Sequence, residues 1–135
     1  MFVDTSAWFA SATRRDANHQ TAQEILRRLA RERWSLVTST YVVAETHGLM
    51  LTRVGRDAGV AFLRSLEGGA VTIERPSDGD ERAASAIVYR YTDKMFSLVD
   101  AISFAVMERL AIGVAFTFDR DFERYGFAVA TAVEP

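Results

Sequence analysis

Residues 1–10 read MFVDTSAWFA. The apolar run Met1-Phe2-Val3 stops at Asp4, and Thr5 and Ser6 follow at once. Phe2-Val3 reads as a short buried strand, and an acid at the end of such a strand needs a partner if it is buried. Thr5 or Ser6 is placed to cap a helix from Ala7 to Thr13. A buried strand that ends on an acid and turns straight into a helix is the opening of an α/β fold, and the rest of the chain keeps the same alternation.

The spacing predicts a helix from about His19 to Glu32, with Ala22, Ile25, Leu26 and Leu29 on one face. A second strand is expected over Trp34 to Val37. Thr38, Ser39 and Thr40 then offer a cap for a helix carrying Val42, Val43, Leu49 and Met50, which Gly55 breaks. Ala58 to Leu66 is a further helix, stopped at Gly68-Gly69. Ala70 to Ile73 is a third strand, and Pro76-Ser77-Asp78 opens a helix from about Gly79 to Tyr91. Ser97 begins a helix from Leu98 to Leu110 that is apolar on most faces, as a central, buried helix is. Val114 to Thr117 is a fourth strand, Asp121 to Arg124 a short helical turn, and Ala128 to Ala130 a fifth strand. Short apolar strands alternating with helices predict a parallel sheet covered on both faces. At 135 residues the expectation is one domain over 1–135.

The composition, 49% hydrophobic and 25% charged, is that of an ordinary globular chain able to bury a core without staples. There is no cysteine, which excludes a disulfide framework and a thiolate metal site and fits a reducing cytoplasm. No apolar run approaches the ~20 residues of a membrane span, and Asp4 interrupts the first one with no basic leader before it, unlike a signal peptide. The net charge is −2, so the chain is no polycation, yet Lys94 is the one lysine among 16 basic residues. Arginine's planar fork suits carboxylates and phosphates, although genome base composition produces the same bias.

Three further acids share Asp4's kind of position. Glu45 follows Thr38-Ser39-Thr40 on the helix after the second strand, its face leaning toward the body of the fold. Asp100 lies in Ser97-Leu98-Val99-Asp100, and Asp119 directly follows the fourth strand in Thr117-Phe118-Asp119-Arg120-Asp121-Phe122. Each has a local alternative. Ser97 and Asp100 have capping-box spacing, Asp119 can cap its own short helix, Glu45 can pair with Arg53 or a distant arginine on a solvated face, and Asp4 can be a turn residue. Asp121 could join these acids but is assigned a cap role, and Asp93 is a weaker extra candidate assigned to the surface. Jointly, the four acids stand where a parallel sheet binds ligands, beyond the carboxyl ends of its strands. Carboxylates gathered in one pocket repel unless a cation sits among them, and no basic residue is an obvious counter-ion. Oxygen donors alone suit Mg²⁺ or Mn²⁺. Zinc is disfavoured by the lack of cysteine and by His19 and His47, which lack ligand spacing and read as structural or surface residues. A carboxylate-held metal points to phosphoryl chemistry, with a metal generating the nucleophile from water and stabilising the leaving oxygen.

Asp4-Thr5-Ser6, Glu45 after Thr-Ser-Thr, Ser97-Leu98-Val99-Asp100 and Thr117-Phe118-Asp119-Arg120-Asp121-Phe122, in this order, resemble the PIN domain, and within it the VapC toxins of type II toxin–antitoxin modules. The resemblance covers the whole chain. It implies a three-layer α/β/α sandwich with a parallel sheet of about five strands. It also implies a metal-dependent endoribonuclease that dimerises and is inhibited by a cognate antitoxin. By the same resemblance Asp4 and Asp100 are direct metal ligands, while Glu45 and Asp119 bind through water or hold a second ion. Thr5, Ser6 and Thr117 would orient carboxylates. All four acidic positions are intact, which favours catalysis over an inactive PIN-fold interaction module. A receiver-like signalling domain would need an aspartate ending the third strand and a lysine after the fifth. This chain has Val71-Thr72-Ile73-Glu74 and only Lys94. For RNA, Arg14, Arg15, Lys94 and Arg120 are the phosphate candidates. Trp8, Phe9 and Phe96 are read as core or interface aromatics rather than base platforms.

Overall fold

The structure, a computed structural model, describes residues 1–131; residues 132–135, which the expected domain includes, lie outside the described residues. Five parallel strands, β1 (Phe2–Val3), β2 (Leu36–Ser39), β3 (Val71–Glu74), β4 (Val114–Phe116) and β5 (Ala128–Val129), form one sheet in the order β3-β2-β1-β4-β5. Seven helices connect them: α1 (Thr5–Ala12), α2 (His19–Arg31), α3 (Thr40–Arg53), α4 (Arg56–Leu66), α5 (Asp78–Arg90), α6 (Leu98–Arg109) and α7 (Asp121–Tyr125). The chain runs outward from β1 through β2 to β3, then returns to place β4 on the other side of β1. The strand order therefore switches between β1 and β4, and a crevice opens at their carboxyl ends.

Alternation along each strand divides the core into two layers. Phe2 and Ala115 face one side, with Val42, Ala84, Ile87, Ile102, Phe104, Met107 and Phe122 from α3, α5, α6 and α7. Val3 and Phe116 face the other, with Ala7 and Ala10 of α1 and Ala22, Ile25 and Leu29 of α2. The result is the expected three-layer α/β/α sandwich. Helix α6 is the buried one, with seven consecutive residues, Ala101 to Met107, out of solvent. Among the described residues no helix is long and apolar enough to cross a membrane.

Local departures have local causes. The second strand begins at Leu36, not Trp34. Trp34 is exposed and donates its indole N–H to Glu32 Oε2 at 2.7 Å. The strand continues to Ser39 because four successive residues, Leu36 to Ser39, pair with Val71 to Glu74 of β3. The third strand likewise starts at Val71 and ends at Glu74. Helix α4 begins at Arg56, two residues before Ala58, because Gly55 at φ 147° supplies a turn that L side chains rarely adopt. Gly55 thus both ends one helix and opens the next.

Candidate active site

Four chain segments deliver acids to the β1/β4 crevice. Asp4 leaves β1 and is itself the N-cap of α1, accepting from Ser6 N; neither Thr5 nor Ser6 caps that helix. It is only 3% exposed. Ser6 Oγ at 3.1 Å and Thr117 Oγ1 at 3.0 Å both donate to its Oδ2. Burial pushes the Asp4 carboxyl above its ordinary range, against the opposing pull of hydrogen bonds from Thr5, Thr117 and Ser6. Ser6 Oγ also accepts from the Phe118 backbone N–H at 2.9 Å. Through Ser6 and Thr117, the ends of β1 and β4 are therefore tied to one carboxylate.

Asp100 arrives from the first turn of α6. It is held by a full capping box, in which Asp100 N donates to Ser97 Oγ at 3.0 Å and Ser97 N donates to Asp100 Oδ2 at 3.3 Å. The cap and the site are the same residue. Its pKa is pushed up to about 7, first by burial and then by the negative charges of Asp119 and Asp4. Asp119 follows β4 in a tight turn. Its N–H donates to Thr117 Oγ1 at 2.9 Å, and its Oδ1 accepts from Asp121 N at 2.9 Å. Asp121 is the first residue of α7 and Arg120 stands at its N-cap position, so the Asp119 carboxylate satisfies the first N–H of that helix, in line with the cap alternative. Asp119 closes a turn that folds Asp121 back toward the crevice.

Asp4, Glu45, Asp100 and Asp119 all line one cavity of about 250 Å³, with Thr5, Ser6, Phe9, Asp16, Asn18, Leu49, Arg53 and Phe118. Glu45 differs from its expected setting. It is exposed, at the mouth of the cavity rather than leaning on the core, and among the described residues it forms no ion pair with Arg53. Beside the cavity, Asp100, Asp119 and Asp121 present one oxygen each within 4.8 Å of one another. A compact all-oxygen set fits a hard divalent cation. Among the described residues no lysine or arginine is ion-paired with Asp4, Glu45, Asp100 or Asp119, so the charge they concentrate is not neutralised by the protein itself.

Asp121, weighed from the sequence as a possible site member but given a cap role, joins Asp100 and Asp119. Its side chain also holds Arg124 at 2.9 Å. Two further residues of this region carried no sequence signal for the site. Asp16 and Arg53 line the cavity, brought there by the α1–α2 connection and the last turn of α3. Asp93 does not line the acidic cavity; it is exposed, paired with Lys94 at 2.6 Å, and lies in a neighbouring cavity with Asp121 and Arg124. Of the phosphate candidates, Arg120 lines an adjoining cavity of about 320 Å³ with Thr21, Phe118, Asp119 and Glu123, whereas Arg14 and Arg15 are exposed outside both cavities. Of the aromatics, Phe96 packs in the core, Trp8 lies against Phe62, and Phe9 reaches the cavity wall. His19 is anchored by Nδ1 to Ala10 O, and His47 packs beside Gly59; neither lines the acidic cavity.

The PIN domain model matches residues 1–128. The chain belongs to the PIN domain family. Within that family it is 37% identical over 127 residues to the "23S rRNA-specific endonuclease VapC20" of Mycobacterium tuberculosis, covering 94% of this chain and 95% of the relative. It is 35% identical over 120 residues to the "Ribonuclease VapC26" of the same species, covering 89% of this chain and 87% of that one. The crystal structure of M. tuberculosis VapC20, described as a sarcin–ricin loop cleaving toxin, superposes with a TM-score of 0.86 at 36% identity, covering 99% of this chain and 98% of that one. FitAcB from Neisseria gonorrhoeae shares the fold, with a TM-score of 0.70 at 15% identity over 97% of this chain and 96% of that chain.

Proposed function

We propose that this PIN-domain chain is an endoribonuclease, the toxin of a VapBC-like type II toxin–antitoxin module, working in the cytoplasm with Mg²⁺ or Mn²⁺. One observation carries the reading: Asp4, Glu45, Asp100 and Asp119, far apart in the sequence, meet in one cavity where, among the described residues, no arginine or lysine pairs with them. The VapC20 and VapC26 relatives, named as an endonuclease and a ribonuclease, give that cavity its chemistry.

Asp100, Asp119 and Asp121 would hold the cation, with Asp4 as the deepest carboxylate and Glu45 at the mouth. A divalent ion there supplies a water nucleophile at neutral pH and charge stabilisation for the leaving oxygen. The chain's own contribution is positioning. Ser6 and Thr117 fix the Asp4 carboxylate, and Ser97 fixes Asp100. Burial and the neighbouring charges of Asp119 and Asp4 raise the Asp100 pKa to about 7, so without a cation it is only partly ionised at neutral pH, and a cation held there would favour its carboxylate form. The partners are RNA and a cognate antitoxin, and the toxin is a homodimer. Light scattering of the purified protein at micromolar concentration should give twice the 15.0 kDa chain mass, and a monomer mass would contradict the dimer. Because the VapC20 relative is described as acting on 23S rRNA and its sarcin–ricin loop, that loop is the first substrate to test.

The experiment is cleavage of total cellular RNA by purified protein with Mg²⁺, with Mn²⁺ or with EDTA, and with Asp4→Asn prepared in parallel. Cut ends are mapped by primer extension. Metal-dependent cleavage that disappears in Asp4→Asn supports the reading. Cleavage that persists in EDTA or in Asp4→Asn contradicts it, and so does intact RNA in every arm.

A further inference from the structure

The acidic cavity contains one arginine, and nothing above uses it. Glu45, Leu49 and Arg53 follow one another at four-residue intervals along α3, on one face, and all three line the cavity. Glu45 stands about two turns before Arg53, which sits in the last turn of the helix. A cation among Asp4, Asp16, Glu45, Asp100 and Asp119 would ordinarily be drawn into an ion pair, yet Arg53 forms none among the described residues. Its guanidinium instead lies over the ring of Phe9, 5.7 Å from the centroid. Phe9 is 9% exposed and anchored in a small core with Met50, Phe62 and Leu66. The ring is thus a fixed neighbour for the guanidinium, which lies beyond ion-pair distance of the cavity carboxylates. The five N–H donors of the fork remain available, and the side chain is open to solvent.

We propose that Arg53 is a substrate-binding residue that grips a phosphate of the RNA strand entering the cavity, with Phe9 as its support. The inference rests on the ribonuclease reading of the same cavity and names a contact that reading lacks. An all-acid site attracts metal but repels a polyanion. One planar cation beside the metal ligands, lying over an aromatic ring rather than paired with them, removes that conflict for the nearest phosphate and offers bidentate geometry that an ammonium cannot. Such a contact positions the strand and reads no sequence.

The test uses the full chain in three forms, parent, Arg53→Gln and Arg53→Lys, and three readouts. The first is single-turnover cleavage of a labelled RNA that the parent cuts. The second is affinity for the same RNA against salt, by fluorescence anisotropy in an Asp4→Asn background. The third is the rise in melting temperature on adding Mn²⁺ without RNA. Arg53→Gln should cut about 10- to 100-fold more slowly at subsaturating RNA, and its log-affinity against log-salt slope should flatten by about 0.7, the value of one single-strand phosphate contact. Arg53→Lys should keep the slope and recover only part of the rate. The Mn²⁺ shift should match the parent in both. Parent-like cleavage and slope in Arg53→Gln overturn the proposal, as a contact made to a protein partner instead of RNA would give. Loss of the Mn²⁺ shift also overturns it, by placing Arg53 in the metal site. Failure of the parent to cut RNA would refute the ribonuclease reading while the salt slope still decides whether Arg53 touches RNA.

Discussion

Helices α5 and α6 open with the same device and put it to opposite use. Ser77 and Asp80 form a full capping box at α5, as Ser97 and Asp100 do at α6. Both aspartates stand at the third helical position, and both accept from the N-cap backbone. Asp80 is buried but meets Arg109, whose guanidinium reaches it at 2.9 Å and also holds Glu74 at 2.8 Å. The Arg109 hydrogen bond keeps Asp80 below its ordinary pKa. Asp100 meets Asp119 and Asp4 and, among the described residues, pairs with no arginine, so burial and like charge raise it to about 7. One aspartate fastens α5 to the last turn of α6 and the end of β3; the other leaves a charge for something outside the chain to neutralise. A motif of four residues says where a helix starts. What the fold packs beside its carboxylate decides whether it is a clasp or a ligand.

The sharpest break in that symmetry is expected in activity. Asp100→Asn should lower cleavage at least about 1,000-fold, roughly 4 kcal/mol of barrier, while keeping the fold; Asp80→Asn should cleave within about threefold of the parent under conditions where it is folded. Single-turnover rates of the two variants check this, and equal losses would erase the distinction.

Ligand linkage gives the next effect. Mn²⁺ at about 100 times its dissociation constant should stabilise the parent and Asp80→Asn by about 2.7 kcal/mol, seen as a higher melting temperature, and should leave Asp100→Asn nearly unmoved. In stability the order reverses. Asp80→Asn removes the charge-assisted bonds to a partly exposed Arg109 that keeps Glu74, and should cost about 1–2 kcal/mol in urea unfolding, whereas Asp100→Asn relieves repulsion and should be neutral or stabilising. The smallest effect is in pH. Asp100 has a folded pKa above its unfolded value, so between about 4 and about 7 the folded metal-free protein holds the extra proton, and stability falls as pH rises through that window. Asp80 has the opposite sign: its contribution is complete above the ordinary carboxylate range and is lost only in acid. The stability gained by Asp100→Asn should therefore grow by about 1–2 kcal/mol from pH 5 to pH 8, after discounting for solvent at the open rim. Urea midpoints at the two pH values measure it, and a pH-independent difference would contradict the raised pKa.

Much of this was legible from residue order. The alternation of short apolar runs with amphipathic helices gives the sheet and its two layers, and acids just past the strands mark the crevice. The order β3-β2-β1-β4-β5 was not legible, because it depends on which edges the connections reach. Strand limits slipped where exposure and pairing override apolarity, at Trp34 and Ser39. Glu45 was misplaced because its apolar sequence neighbours face other directions around the helix. Asp121 was set aside because a turn brings it back through a backbone hydrogen bond to Asp119 that no periodicity records. Arg53 was considered only as a partner for Glu45; its actual neighbour, Phe9, comes from α1 and is near in space alone.

The most direct measurement is anomalous diffraction from crystals of the parent grown with Mn²⁺. A peak among the carboxylates of Asp100, Asp119 and Asp121, absent from Asp100→Asn crystals, is the result this account predicts. A parent crystal with no peak there, or with one held by other residues, would contradict it.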